Sequence, residues 1–298
     1  MYDIKLFGTT TVHEGTGDVV GSQLGGIKPR QILEVLALAD GAPVTKDRLA
    51  QLLWGETVPA SAVATLETYV CVLRRRMGAG SGAPSPITTT SAGYRLDLDA
   101  VTVDLHECRS LLAIAAVADD EEALALTRQA LRLCEQPLLA SEMRADWADL
   151  AREQFHHEVA AACGRASQAA LTLGETATAV QLASRATSLE PYDEALTRDL
   201  MRALSADGRR AGALRAFLEL RRALVEELGV EPGPQTRALY VQLLTDDATA
   251  GPEAVPSRVE LRGLVELLRE TLARMPGVDT GAVDRALAQV AGQALGLR

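Results

Sequence analysis

The chain has 298 residues, enough for two domains with separate hydrophobic cores. Hydrophobic residues make up 47% and aromatic residues only 3%, and an apolar set dominated by alanine and leucine favours helix over sheet. The formal net charge of −10 excludes a protein that covers nucleic acid or anionic membrane with its whole surface. It does not exclude a local basic patch in the N-terminal part, because the first 100 residues hold nine Lys and Arg against ten Asp and Glu.

The four cysteines are scattered singly, which is typical of neither a disulfide framework nor a zinc site. No signal peptide is recognisable, and the longest apolar run, residues 111–118, is too short for a membrane span. These features predict a cytoplasmic protein without a metal or another cofactor.

Short β-forming stretches open the chain. Residues 2–7, 9–13 and 19–20 are separated by turn residues and predict antiparallel strands. The glycines between residues 15 and 26 match neither G-x-G-x-x-G nor G-x-x-x-x-G-K-[ST], and no long helix follows directly. We therefore interpret them as turn glycines rather than as a phosphate-binding loop.

Three helices and a β-hairpin come next. The first helix is predicted over residues 29–39, because Pro29 is favoured in an opening turn. The second begins after the N-cap residue Thr45 and ends at Trp54-Gly55, and the third covers residues 60–77. Two strands, residues 87–90 and 94–98, are joined by a short turn. This order of elements predicts a winged helix-turn-helix over residues 1–98.

The remainder is predicted to be almost entirely helical. Helices over residues 174–189, 192–204 and 209–228 recur about 34 residues apart in phase, with Pro191 between the first two, as in tetratricopeptide (TPR)-like repeats. The fold class is therefore α with a small β part: a winged helix, a TPR-like all-α domain over residues 99–246, and a linker with a C-terminal helical pair over 247–298. The two final helices are predicted at residues 258–275 and 280–295.

The third helix is the candidate for contacts with DNA bases. At about 100° per residue, Leu66, Val70, Leu73 and Met77 form a core stripe. The opposite face presents Ala64, Thr68, Cys71, Val72 and Arg75, with Thr65 and Arg76 at its margins. Arg74, Arg75 and Arg76 form a cluster at the end of this helix. Cations at a helix C-terminus also complement the helix dipole, so the cluster alone does not establish contact with DNA. The predicted base and phosphate contacts on this helix are Thr65, Thr68, Val72, Arg74, Arg75 and Arg76. Further phosphate contacts are predicted for Lys28, Arg30, Arg48 and, on the hairpin, Arg95.

The sequence resembles the Streptomyces antibiotic regulatory proteins, which join an OmpR-like winged helix to a bacterial transcriptional activation domain. The matching sequence segments are LGGIKPRQ at residues 24–31, LLWG at 52–55, PASA at 59–62, YV at 69–70 with LRR at 73–75, GYRLD at 93–97, VDLH at 103–106 and EELGVEPGP at 226–234. The resemblance spans residues 1 to about 245.

The resemblance implies a promoter-bound activator of a specialised-metabolite gene cluster. Two subunits are expected side by side, as a homodimer on direct repeats near the −35 element, recruiting RNA polymerase holoenzyme through contacts that include the sigma factor. The resemblance places the polymerase-facing loop at Trp54, Gly55, Glu56, Thr57, Val58 and Pro59.

The chain departs from the family pattern in three places. Cys71-Val72 stands where the family usually has Ser-Arg, the wing is neutral near Thr90 and Ser91, and the usual Trp-Arg-Gly word is Cys134-Glu135-Gln136. The loss of an outward arginine removes a contact worth roughly 1–3 kcal/mol if it is bidentate to a base. These departures put the DNA sequence and the affinity in doubt, rather than the fold.

Several alternatives remain open. A helical-repeat adaptor that has lost DNA binding, or a repressor that uses the same site, fits the same domains. An enzyme is not expected, since His156-His157 and His106-Glu107-Cys108 match neither H-E-x-x-H nor a triad, so no catalytic residue is predicted. At the C-terminus, Leu261, Leu264, Val265, Leu268 and Leu272 form an apolar stripe that either docks on the chain's own repeats or mediates dimerisation.

Overall fold

The computed structural model describes residues 1–14, 17–20, 24–78 and 85–245. The chain divides into two compact units, the first covering Met1–Glu158 and the second beginning at Val159. It is mostly helical with a small β part, which confirms the predicted fold class. None of the helices in the described ranges is both long and apolar enough to cross a membrane. The predicted linker and the two C-terminal helices lie outside the described residues.

The first unit opens with antiparallel strands. β1 (Tyr2–Lys5) pairs with β2 (Thr11–Glu14), which pairs with β3 (Gly17–Val20). Ile4 and Leu6 are fully buried because alternate residues of an extended chain share a face, and Val12 faces Ile4 across the pair. The strands were predicted in the right order, although the first ends at Lys5 rather than at residue 7 and the second begins two residues late.

Three helices form the core of the predicted DNA-binding fold: α1 (Ile27–Leu38), α2 (Lys46–Trp54) and α3 (Ala62–Arg76). Thr45 caps α2 as predicted, since its hydroxyl oxygen accepts a hydrogen bond from the Arg48 amide at 3.1 Å. α3 begins at Ala62 rather than at residue 60, because the Ala62 amide donates to the Pro59 carbonyl and closes a turn ahead of the helix.

The hairpin of β4 (Ile87–Thr90) and β5 (Gly93–Leu96) is the wing. Its second strand ends two residues earlier than predicted. Tyr94 exchanges backbone hydrogen bonds with Val44, of 2.8 and 3.0 Å, which ties the wing to the segment before α2. Gly93 makes this approach possible, because a Cβ there would lie 2.1 Å from the Val44 carbonyl oxygen and its φ is +149°.

The chain then returns to the first sheet. β6 (Val101–Val103) lies parallel to β1, completing the strand order β3-β2-β1-β6. This strand was not predicted, since three residues are too few for a periodic pattern. It leads directly into α4 (Asp104–Ala115), which packs against α5 (Asp120–Leu133). The buried Asp104 carboxylate accepts hydrogen bonds from the amides of Leu6 and Phe7, at 2.8 and 3.2 Å, and so fixes the end of β1 to the start of α4.

A loop after α5 completes the first unit. The Gly8 amide donates to the Pro137 carbonyl at 2.8 Å, and the Leu139 amide donates to Leu6 at the same distance. Arg152, on α6 (Asp146–Thr172), donates to three carbonyls of this loop, those of Leu138, Leu139 and Glu142. The loop is therefore held on one side by the N-terminal strand region and on the other by α6.

The second unit is a stack of helices. It contains the end of α6, α7 (Thr176–Leu189), α8 (Glu194–Ala206), α9 (Arg210–Ala223) and α10 (Pro234–Thr245). Ala179, Ala183 and Ala213 are fully buried, as their predicted positions between paired helices require. The predicted helix over 209–228 is α-helical only to Ala223, and Leu224–Leu228 is a π-helical turn. Whether the stack is a true TPR array stays a prediction.

Candidate nucleic-acid interface

α3 has one buried and one exposed face. Leu66, Val70, Leu73 and Met77 are at most 1% exposed, as the helical spacing predicts. Thr68, Cys71 and Arg75 are exposed on the opposite face. The helix thus has the one-sided burial that entry into a DNA major groove requires.

The two predicted threonines lie on this exposed side with their hydroxyl protons engaged. Thr65 donates to the Ser61 carbonyl and Thr68 to the Ala64 carbonyl, each at 3.0 Å. Each oxygen retains lone pairs, so both side chains are set to accept a hydrogen bond. The base groups that donate in the major groove are the amino groups of adenine and cytosine.

Val72 is partly covered by the loop before α1. A Cβ at Gly25 would lie only 2.4 Å from Val72 Cγ1, and the φ of Gly25 is +99°. The valine side chain therefore packs against this glycine and is half-buried. The part that remains exposed is apolar, which suits a thymine methyl group better than a phosphate.

Arg74 holds the wing against α3. Its Nε donates to the Ile87 carbonyl at 2.9 Å and its Nη2 donates to Thr89 Oγ1 at 2.8 Å. The guanidinium also lies 5.9 Å from the centre of the Tyr94 ring. The structure thus shows a positioning role for Arg74 within the fold, and its predicted contact with DNA stays a prediction.

Three other predicted cations face outward without a partner. The side chains of Arg48, Arg75 and Arg76 are exposed and form no hydrogen bond or ion pair within the described ranges. Arg95 is also exposed, with a long hydrogen bond of 3.3 Å from its Nε to Thr88 Oγ1 on the wing. Among the predicted site residues, these four cations are the ones that the described part of the chain leaves available to phosphates or base edges.

An ion pair links α2 to α3 at the edge of this surface. Lys46 Nζ lies 2.6 Å from Glu67 Oε1, and both groups are solvent-accessible. The hydrogen bond to Glu67 raises the pKa of Lys46. Glu67 was not among the predicted site residues, although its position three residues before Val70 already places it at the margin of the exposed face.

Lys28 points toward α2 rather than outward. Its ammonium donates to the Leu53 carbonyl and to Gln31 Oε1, the latter at 3.1 Å, and lies 6.0 Å from the Trp54 ring centre. It therefore caps the C-terminal end of α2. The predicted polymerase-facing loop begins at this point: Trp54 is half-buried, and residues 55–59 are exposed.

Arg30 is engaged inside the first unit. Its Nη2 lies 2.5 Å from Glu142 Oε1, and its Nε lies 3.4 Å from Glu34 Oε1. The Arg30 side chain is 15% exposed and the Glu142 side chain 5%. Gln31 also donates to Glu142, at 2.6 Å. The structure thus shows that α1 is fastened to the loop before α6, and no finding tests whether Arg30 also contacts phosphate.

Glu34 completes this buried cluster. It is fully buried, and its Oε1 accepts a hydrogen bond of 2.5 Å from the Thr10 hydroxyl. Burial raises the pKa of Glu34 to about 7, with a further contribution from the charge of Glu142, while the Thr10 hydrogen bond and Arg30 act in the opposite direction. The cluster therefore contains one carboxyl group that changes its charge close to neutral pH.

The predicted site residues thus fall into two groups. The surface of α2, α3 and the wing holds Thr65, Thr68, Arg75, Arg76, Arg48 and Arg95, together with the half-buried Val72. Lys28, Arg30 and Arg74 have partners within the protein. Sequence reasoning missed Glu142, which lies 112 residues from Arg30, and no local pattern signals such a distant contact.

The histidine motifs show no metal-binding arrangement. Within the described ranges, no three His, Cys, Asp or Glu residues lie close enough to hold a metal ion. In the His106-Glu107-Cys108 word, His106 Nε2 lies 2.6 Å from the Ala37 carbonyl and Nδ1 lies 3.2 Å from Asp40. Cys108 is fully buried beneath α5, so the three residues face different surroundings.

Two family models match the chain in succession. Residues 26–96 match "Transcriptional regulatory protein, C terminal", which covers α1 to β5. Residues 103–244 match "Bacterial transcriptional activator domain", which begins at the end of β6. The surface described above therefore belongs to the part that matches the first model.

Curated relatives and a solved structure agree with these matches. The chain is 32% identical to the regulatory protein DnrI of Streptomyces peucetius, over 74% of this chain and 85% of that protein. It is 30% identical to the transcriptional regulatory protein MoaR1 of Mycobacterium tuberculosis, over 80% of each. The structure of Mycobacterium tuberculosis EmbR in complex with a low affinity phosphopeptide superposes with a TM-score of 0.70 at 25% identity, over 92% of this chain and 72% of that one.

Proposed function

Because the chain belongs to the Streptomyces antibiotic regulatory proteins, a family of transcriptional regulators and not of enzymes, we propose that it binds promoter DNA through α3 and the wing and activates transcription from that position. The observation that carries the proposal is the exposed pair Arg75 and Arg76, which have no partner among the described residues, beside the acceptor oxygens of Thr65 and Thr68. A regulator of this kind acts where the chromosome lies, so we place it in the cytoplasm.

The binding is proposed to be modest for one subunit. Few cations are available to phosphates, and the rest of the molecule is acidic, so electrostatic attraction to DNA is limited. A second subunit on an adjacent direct repeat near the −35 element would raise the overall affinity through a high effective concentration. We therefore propose a homodimer on DNA.

The loop after α2 is proposed to contact RNA polymerase holoenzyme, including its sigma factor. Residues 55–59 are exposed, and the large apolar side chains of Ile27 and Val58 are 62% and 43% exposed. Lys28 fixes the start of this loop through its bond to the Leu53 carbonyl. An ordered, partly apolar surface next to the DNA-binding helix suits a protein partner better than phosphate.

The regulated genes are proposed to form a specialised-metabolite cluster, as the family name implies. A salt-titrated mobility-shift assay on promoters from the chain's own genomic neighbourhood tests the DNA-binding proposal. A specific complex at low salt that weakens steeply with salt is expected. The absence of any specific complex at low salt would instead favour an adaptor that has lost DNA binding.

In vitro transcription with purified polymerase tests the sign of regulation. We expect more transcript when the protein is bound, and less when residues 55–59 carry alanine in place of Glu56, Thr57 and Val58. DNA binding of that variant is the control and should be unchanged. A decrease in transcript on addition of the unmodified protein would identify a repressor.

A further inference from the structure

A groove crosses the outer surface of the second unit along α9. One half has a volume of about 500 Å³ and is lined by residues of α7, α8 and α9. The other half has a volume of about 670 Å³ and continues along α9 past the π-helical turn. Arg215 and Glu219 border both halves, so the two cavities form one continuous groove. Its floor and walls include Val180, Leu200, Leu204, Ala216, Leu218 and Val225.

The groove is apolar at its base, and its borders carry both charges. Arg221 and Arg222 are paired with Glu231 and Glu226, and Arg209 and Arg215 also line the groove. Val225 is 43% exposed and Tyr192, at the far end, is 45% exposed. Glu219 and Glu227 also border it, and neither has an ion-pair or hydrogen-bond partner within the described ranges. An apolar channel with unpaired carboxylates suits a helix that carries an apolar stripe flanked by cations.

The sequence beyond the described residues contains such a segment. Leu261, Leu264, Val265, Leu268 and Leu272 fall within about 100° of one another at helical spacing. Arg258, Arg262 and Arg269 fall together on one flank of that stripe. This flank can pair with Glu219 and Glu227, the groove carboxylates that have no ion-pair partner within the described ranges.

The chain leaves the described structure beside one end of the groove. α10 ends at Thr245, and Arg210 donates to the carbonyls of Leu243 and Leu244 at 2.5 and 3.0 Å. Arg210 is the neighbour of Arg209, which lines the groove. The 12 residues from 246 to 257 span up to about 40 Å when extended, whereas the 14 residues of α9 extend about 21 Å.

We infer that residues 258–272 fold back as an amphipathic helix into the groove between α7 and α9 of their own chain. The leucine stripe lies on Leu204, Ala216 and Val225, and the arginine flank faces Glu219 and Glu227. A helix from Leu261 to Leu272 is about 17 Å long, close to the length of the α9 surface that it covers. The groove is then filled by the chain itself, and any other ligand must displace this segment.

Thiol labelling in the full-length protein tests the inference. Cys71 is the exposed native cysteine among four and is replaced by serine, while the other three are buried. In this background Ala216→Cys places one accessible thiol in the groove. Leu268→Asp, on the stripe, is expected to raise its rate of reaction with a maleimide about tenfold, since a docked helix must open before the thiol is reached.

Leu267→Asp is the matched control, because it makes the same change one residue away and off the stripe. It should leave the rate unchanged. A thiol outside the groove, introduced as Ser188→Cys on the exposed side of α7, should react equally fast in all backgrounds. Equal labelling rates at position 216 in the Ala216→Cys protein and in its Leu268→Asp and Leu267→Asp variants would overturn the inference.

Charge reversal provides a second arm that preserves the apolar stripe. Arg262→Glu is expected to raise labelling at position 216 at low salt, and Arg274→Glu, on the far side of the segment, is not. The rates are measured over a hundredfold range of protein concentration. Protection that is independent of concentration supports docking within one chain, whereas protection that grows with concentration would assign the groove to a second copy and overturn the inference.

Discussion

Arg30 on α1 and Glu142 in the loop before α6 form a nearly buried ion pair, with Nη2 and Oε1 2.5 Å apart. The pair joins residues 112 positions apart and lies beside the buried Glu34. It connects the predicted DNA-binding helices to the first helices of the activator domain, within one compact unit.

Arg30→Ala is expected to destabilise the first unit by about 3–5 kcal/mol, because it leaves the Glu142 charge buried without its cation. Both tryptophans lie in this unit, so urea unfolding followed by tryptophan fluorescence reports on it. Arg109→Ala is the control: its pair with Glu158 is 27% and 31% exposed, and its loss should cost less than about 1 kcal/mol. Similar losses for both variants would contradict a structural role for the Arg30 pair.

Glu34 predicts a pH dependence of stability. Its pKa is about 7 in the folded protein against 4.5 ordinarily, so between these values the folded state binds more protons than the unfolded state. The free energy of unfolding should therefore fall as pH rises from about 5 to 7, by about 3 kcal/mol at most from this group.

Glu34→Gln keeps an acceptor for the Thr10 hydroxyl but does not titrate, and should remove this slope. The free energy of unfolding in urea is measured for both proteins across pH 5–8, and one pH profile is subtracted from the other. If the curves run parallel, Glu34 does not titrate in this range.

Arg75→Ala is expected to weaken binding to the target promoter by at least about fivefold at 0.15 M salt and to reduce the salt slope by about one if it contacts phosphate. The protein should remain as stable as before, since Arg75 has no partner among the described residues. Arg128→Ala, exposed on α5, should bind as the unmodified protein does. Equal losses of affinity for both would mean that α3 is not the DNA-contacting helix.

Gly93→Ala should loosen the wing. The new methyl group would clash with the Val44 carbonyl, and the positive φ adds strain of about 1–2 kcal/mol. Gly26→Ala separates the two effects, because Gly26 has a φ of +105° but no atom within 4 Å of its added Cβ. Thermal unfolding should show a larger fall in Tm for Gly93→Ala, and a fall of equal size would assign the whole effect to backbone strain.

Local signals in the sequence predict local structure well. Thr45 was identified as a helix cap and the α3 stripe as core, because caps and helical periodicity depend on residues a few positions apart. The outward direction of Arg75 follows from the same periodicity.

What the sequence did not predict depends on distant partners. Arg74 was expected at DNA, and the structure joins it to the wing at Ile87. Nothing near Arg30 in the chain indicates Glu142, and β6 becomes recognisable as a strand only through its pairing with β1. The helical phase therefore predicts which side chains are candidates for a contact. It does not predict whether a candidate's charge is already neutralised by a partner within the protein.

The parallel pairing of β6 with β1 also determines when this domain can fold during synthesis. The first strand leaves the ribosome about a hundred residues before its neighbour Val101–Val103, and the Leu6 amide lacks the Asp104 carboxylate for as long. Until then β1 has an open edge, which another nascent chain can pair with. The open edge of β1 is therefore covered only after the wing and the first turn of α4 have been translated.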